Sequence, residues 1–227
     1  MSREVILDTE TTGLAHSKGH RVIEIGAVEL LDKVPTGKKF QCYINPQREI
    51  TEESYKIHGL SSQFLKNKPL FADIADKFLH FVQDAPIVIH NAKFDMGFLN
   101  NELSIINKSV LPFERAIDTL AMAREMFPKS KVSLDALCKR FKICTSHREL
   151  HGALKDAELL AMVYIEMTAR EQVSLSLMES SYKMPNGVKI DKVEKLKVMQ
   201  PTAQEEQEHN SMVSCIENAI WRRCNKS

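Results

Sequence analysis

Three short stretches of this 227-residue chain gather residue types that bind cations or move protons. Asp8 and Glu10 lie two apart in Val5-Ile6-Leu7-Asp8-Thr9-Glu10. On a strand both side chains leave the same face, with Thr9 opposite. Paired carboxylates repel, and burying them is costly unless a cation neutralises them. Hard oxygen donors suit Mg2+ or Mn2+. The pair alone reads equally well as the solvated end of a strand. Asp95 closes Asn91-Ala92-Lys93-Phe94-Asp95, just beyond an apolar run. Active-site groups often sit where a strand gives way to a loop or helix, although Asp95 by itself reads more readily as a helix N-cap. Phe94 beside it is either a core aromatic or a surface for stacking on a base. His151 and Asp156 are five residues apart. On a regular helix that offset separates them by roughly 140°, since each residue turns about 100°. They converge only if His151 lies in the loop before the helix, with Gly152 loosening the junction. The offset to an acid then gives the histidine a partner. Cys138, Cys144, His147 and His151 offer a rival zinc set, but their spacing lacks the usual close Cys pair and long spacer.

The elements needed to position these groups are legible in the periodicity. Val5 to Leu7 opens a strand, Arg21 to Leu31 reads as a second, and Phe40 to Ile44 as a third that Asn45-Pro46 stops. Short connections favour an antiparallel meander. Phe71, Ile74, Ala75, Phe78, Leu79 and Val82 then recur at helical spacing. Ile87 to Ile89 is the wholly apolar run of a buried strand. A helix is expected after Asp95, a brief strand at Ile117, and helices over Leu120 to Phe127, Leu134 to Phe141 (capped by Ser133) and Ala153 to beyond Ala169. A meander followed by alternating helices and strands implies an α/β fold, a mixed sheet flanked by helices.

Lys and Arg total 31 against 30 Asp and Glu, so there is no strong basic field of the kind phosphate-gripping proteins usually carry. Bound metal ions would supply the missing positive charge. The five cysteines are odd in number and scattered, which argues for a reducing compartment. Neither a signal peptide nor an apolar run of roughly 18–20 residues is visible, so the expectation is a cytoplasmic protein without a membrane span. Composition shifts near Ser174, and 174–200 reads as a linker. From 201 a second organised piece begins, with Thr202-Ala203-Gln204-Glu205 as a capping box and Met212, Val213, Ile216 and Ile220 as its apolar residues.

Taken in order, Asp8-Thr9-Glu10-Thr11-Thr12-Gly13-Leu14, Asn91 to Asp95, and His151 with Asp156 resemble the three exonuclease motifs of the DEDD family, in its histidine-bearing branch. The likeness runs from Val5 to Glu166, and the joint pattern is specific where no single motif is. It implies a ribonuclease H-like fold, 3′→5′ removal of nucleotides as 5′-monophosphates, and two divalent metal ions. Within the family, Glu53 to Leu65 with His58-Gly59-Leu60, and Lys195 to Trp221, are similar to the proofreading subunits of bacterial replicative DNA polymerases.

By that resemblance Asp8, Glu10 and Asp156 hold the first metal and also meet the substrate. Asp8 bridges to the second metal, Asp95 acts through water, and His151 is the general base. Glu53 and His58 contact the terminal nucleotide, and Thr11, Leu14 and Phe94 line its pocket. Without the resemblance these five read as a surface acid, a turn histidine and packing residues. Gln172, Leu175 and Leu177 resemble a sliding-clamp-binding peptide, or simply finish the preceding helix. The implied organisation is an exonuclease domain over 1–173, a linker over 174–200 and a polymerase-binding tail over 201–227. The implied partners are DNA 3′ ends, the polymerase catalytic subunit, the sliding clamp and a small core subunit. An RNA-trimming exonuclease of the same family, or a non-catalytic subunit that stabilises a polymerase, are the competing readings.

Overall fold

A computed structural model describes residues 2–145, 151–180 and 202–215, with the side chains of 170–180 and 213–215 left out. The backbone separates into two units, 1–181 and 182–227. In the first, strands β1 (Arg3–Thr11), β2 (Val22–Leu31) and β3 (Val34–Tyr43) form the expected meander. Helices α1 (Glu52–His58), α2 (Ser62–Leu65) and α3 (Phe71–Val82) lead to β4 (Ile87–Ile89) and α4 (Ala92–Ile105). Strand β5 (Ala116–Asp118), α5 (Thr119–Met126), α6 (Leu134–Phe141) and α7 (Ala153–Ser180) follow. The sheet order is β3-β2-β1-β4-β5, antiparallel through the meander and parallel at β1–β4 and β4–β5.

Alternation along β1 sorts the core onto the two faces of the sheet. Val5 and Leu7 pack with Ile74, Phe78, Phe98 and Leu99 from α3 and α4. Ile6 packs on the other face with Leu160, Ala161 and Tyr164 of α7. Asp8 and Glu10, in step with Ile6, therefore face α7, and Thr9 faces α4.

Three differences from the sequence expectations have physical causes. Strand β3 starts at Val34 rather than Phe40, because Asp32 and Lys33 form a tight two-residue turn with φ of 49° and 64°. Its first six residues, Val34 to Lys39, are all exposed, so no apolar alternation marks them. Helix α4 starts at Ala92, with Asn91 in a left-handed conformation before it, which puts Asp95 in the first turn rather than at the N-cap. Helix α1 is too polar to show periodicity, yet it is capped at both ends, by the Thr51 hydroxyl accepting from Ser54 N–H and by left-handed Gly59. The Ser133 cap of α6 is present, its hydroxyl accepting from Ala136 N–H.

In the second unit, α8 (Ala203–Cys215) begins with the expected capping box. Glu205 Oε2 accepts from Thr202 N–H at 2.7 Å, and Thr202 Oγ1 accepts from Glu205 N–H at 3.3 Å. Ile216, Ile220 and Trp221 lie outside the described residues, as do the side chains of Gln172, Leu175 and Leu177. Among the described residues no helix is long and apolar enough to cross a membrane.

Candidate active site

The end of β1 and the start of α7 meet over β2. Gly26 of β2 pairs with Asp8, and a Cβ at this glycine would collide with the backbone of Ala153 and Leu154. Only a residue without a side chain lets the first turn of α7 rest directly on the sheet. His151 and Gly152 precede that turn and Asp156 lies within it, so the offset that a continuous helix would have spread apart is folded together. His151 Nδ1 lies 3.0 Å from Asp156 Oδ2, and His151 N–H donates to the Ile57 carbonyl at 3.1 Å. Donor atoms of Glu10, His151 and Asp156 all fall within 4.8 Å of one another.

Glu10 and Asp156 are both buried. Two hard carboxylates this close can hold a divalent cation, which in turn offsets the repulsion between them, with the imidazole alongside. The donor set thus fits the metal that the sequence pattern implies. Asp8, half-buried, shares the face of Glu10 on β1, two residues back.

Asp95 reaches β1 through Thr9. Its Oδ1 accepts from Thr9 N–H at 3.0 Å and from the Thr9 hydroxyl at 2.7 Å, on the α4 side of β1. Burial pushes its carboxyl up to about 7, with the Asp118 charge adding to the rise and the Thr9 hydrogen bonds opposing it. Strand β4 pairs with β1 only at Val5 and Ile6, which leaves the Thr9 amide to be met by Asp95.

The remaining expected residues lie around the loop that follows β1. Leu14 is 82% exposed and borders two cavities of about 280 Å3 each. One is lined by His16, Asn91, Lys93, Phe94 and Phe98; the other by Lys18, His20, Thr51, Glu53 and Ile57. Phe94 packs on Phe98 with ring centroids 4.9 Å apart. The Thr11 hydroxyl turns inward, donating to the Gly13 carbonyl at 2.7 Å. His58 is buried, and its Nδ1 accepts from Leu60 N–H at 3.0 Å. Burial lowers its pKa, with the His151 charge adding to the fall and the Thr11 backbone opposing it. The Leu60 amide donating to Nδ1 leaves Nε2 as the ring nitrogen free to carry a proton. His147 of the zinc alternative lies outside the described residues, and His151 is turned toward Asp156.

Glu24 is a residue that the sequence reading passed over. It pairs with Glu10 across β1–β2 and is 1% exposed. Its Oε2 accepts from Ala153 N–H at 3.2 Å, and its Oε1 from Gln41 Nε2 at 2.8 Å. Burial raises its pKa against these hydrogen bonds, with the Asp156 charge adding to the rise. The available signal was a lone acid inside the apolar run Val22 to Val28.

The exonuclease (RNase_T) family profile matches residues 5–164. The DNA polymerase III subunit epsilon of Rickettsia typhi is 52% identical over 221 residues, covering 94% of this chain and 96% of that one. The chain belongs to the exonuclease family, among the DNA polymerase III epsilon subunits. The epsilon subunit of Escherichia coli K12 is 39% identical over 238 residues, covering 98% of each chain. A solved nuclease domain of 3′hExo, described as a DEDDh family member bound to rAMP, shares the fold. It superposes with a TM-score of 0.65 at 17% identity, over 74% of this chain and 92% of that one. The mixed five-stranded sheet is thus ribonuclease H-like, and membership of this exonuclease family carries a requirement for divalent metal ions.

Proposed function

We propose that the chain is a 3′→5′ proofreading exonuclease that removes mispaired nucleotides from primer ends beside a replicative DNA polymerase. The observation that carries this reading is the convergence of Glu10, His151 and Asp156 within 4.8 Å at the end of the sheet. Asp8, Glu10 and Asp156 would hold two divalent ions, Mg2+ or Mn2+. When bound, such ions supply Lewis acidity for activating a water and for stabilising the departing 3′ oxygen.

The protein groups do the rest. With His151 Nδ1–H directed at Asp156 Oδ2, the ring is oriented and Nε2 is the atom that takes the proton from water. Asp95 keeps the end of β1 fixed through Thr9. Leu14 and Phe94 present apolar surface to the terminal base, and Glu53 and His58 border the sugar from the other side of the loop. Hydrolysis there releases nucleoside 5′-monophosphates.

The same reading gives the tail from about Lys195 to the polymerase catalytic subunit, and Gln172, Leu175 and Leu177 to a sliding-clamp groove. A small core subunit is a further companion, and the site of action is the cytoplasm. The deciding experiment is digestion of paired and mispaired primer ends alongside an RNA of equal length. Faster removal of the mispaired deoxynucleotide supports proofreading, and a preference for RNA overturns it.

A further inference from the structure

The geometry points to Glu24 as a positioning residue that locks the first turn of α7, and with it His151 and Asp156, against the acidic end of β1. Its place in the fold is unusual for a carboxylate. It sits inside a strand, 1% exposed, directly across from Glu10 and within the field of the Asp156 charge. A third acid there raises the repulsion within the group, and among the described residues no lysine or arginine pairs with it. What it meets instead is Ala153 N–H at 3.2 Å, the first residue of α7. An oxygen acceptor suits a helix N-terminus, where backbone amides lack partners within the helix. On its other side Gln41 Nε2, from the neighbouring strand β3, fixes the second oxygen at 2.8 Å. The carboxylate is therefore clamped by the sheet and itself clamps the helix.

The contact has leverage. Ala153 lies two residues after His151 and three before Asp156. At Gly26, two residues along from Glu24, the backbone of the same turn rests on β2. The glycine sets how closely α7 approaches, and the glutamate sets where along the strand it stops. This inference rests on the nuclease reading for its kinetic consequence, but the clamp itself does not depend on that reading.

Two conservative substitutions separate reach from charge. Glu24→Gln keeps the chain length and an acceptor for Ala153 N–H, while Gln41 can turn its amide to match. Glu24→Asp keeps the charge but is one methylene short of the helix. The measurements, on the full chain, are Ala153 amide hydrogen exchange without metal, Mn2+ affinity, and kcat and KM on single-stranded DNA. Groups that orient metal ligands from behind typically cost about 10–100-fold when removed. The expected result is that Glu24→Asp speeds Ala153 exchange and lowers both Mn2+ affinity and kcat by a factor in that range with KM little changed. Glu24→Gln should stay close to wild type in all of them. If Glu24→Gln is as impaired as Glu24→Asp in Mn2+ affinity and kcat, Glu24 acts by its charge as a ligand and the positioning role is wrong. Wild-type exchange at Ala153 in Glu24→Asp also overturns it, whatever the activity. Altered exchange at Ala153 with no nuclease activity in wild type would leave the clamp standing and remove the nuclease reading instead.

Discussion

Replacing Gly26 with alanine tests the claim that the site is assembled by bare backbone contact between β2 and α7. The new Cβ would lie 2.0 Å from Leu154 N, whereas an ordinary contact begins at 3.4 Å. The obstacle is main chain on both sides, so no side chain can swing away. Restoring the contact moves the first turn of α7 back by 1.4 Å, the difference between those two distances. His151, just before that turn, and Asp156, within it, move with it, away from Glu10. A displacement of this size at a catalytic group costs on the order of 10²-fold in rate. Overpacking of this kind destabilises by about 1–3 kcal/mol. In a chain of this length each kcal/mol lowers Tm by roughly 2–4 °C. The assay is steady-state hydrolysis of single-stranded DNA with Mg2+, with thermal unfolding by circular dichroism on the same sample. Gly152→Ala is the companion variant: nothing lies within 4 Å of a Cβ at that position, and it should keep most of its activity. Wild-type kcat and Tm in Gly26→Ala, or a larger loss in Gly152→Ala, would refute the reasoning.

Four further outcomes follow from the same geometry. Asp8→Ala and Asp156→Ala should each abolish cleavage with circular dichroism unchanged, and near-normal turnover in either would remove it from the metal site. His151→Gln should lose roughly 10²–10⁴-fold in kcat with little change in Tm, as expected for a general base; a loss of stability with intact kinetics would make it a structural histidine. Arg3, hydrogen-bonded to Glu29, together with Lys38 and Thr36, holds the Glu29 carboxyl down to about 2 from an ordinary 4.5. A depressed acid stabilises the fold above its unfolded pKa and loses that contribution as pH falls through its folded value. Glu29→Gln should therefore lower stability at neutral pH by about 1–2 kcal/mol, the linkage value discounted because Arg3 is partly exposed. Urea titrations from pH 7 to pH 2 should show the gap to wild type closing between about 4.5 and about 2, and a gap independent of pH would count against the pair. Truncation after Met178 should leave hydrolysis of single-stranded DNA near the full-length rate and abolish co-elution with a polymerase catalytic subunit. Unchanged co-elution would mean the tail is not the tether.

How much was readable in the sequence depended on where each residue's partner lies. Asp8 and Glu10 were legible because strand alternation alone puts them on one face. The position of His151 before the helix followed from the angle its spacing would otherwise impose. Asp95 taken alone looked like a helix cap, since an acid near a helix start looks the same whether it meets the helix or, as here, Thr9; only the joint pattern placed it in the site. Glu24 and Gly26 were passed over because their partner, the start of α7, is 129 residues from Glu24. Gly152 drew attention as the glycine beside the motif, yet the close approach belongs to Gly26. The early part of β3 escaped because an exposed edge strand has no buried face to impose alternation. Helix α1 escaped because its evidence lay in its caps, Thr51 and Gly59, rather than in periodicity.

The packing of α7 across β1 and β2 also sets the order of events during synthesis. Asp8 and Glu10 leave the ribosome about 145 residues before the helix that completes their site, and long-range pairings of this kind form slowly. Until then Ile6, Val28, Leu30 and Val88 lack the part of their cover that Leu160, Ala161 and Tyr164 supply. A nascent chain halted before Ala153 is thus both inert toward nucleic acid and adhesive toward other chains. One docking event ends both conditions, so the capacity to degrade a 3′ end arises only in a molecule whose sheet is already sealed.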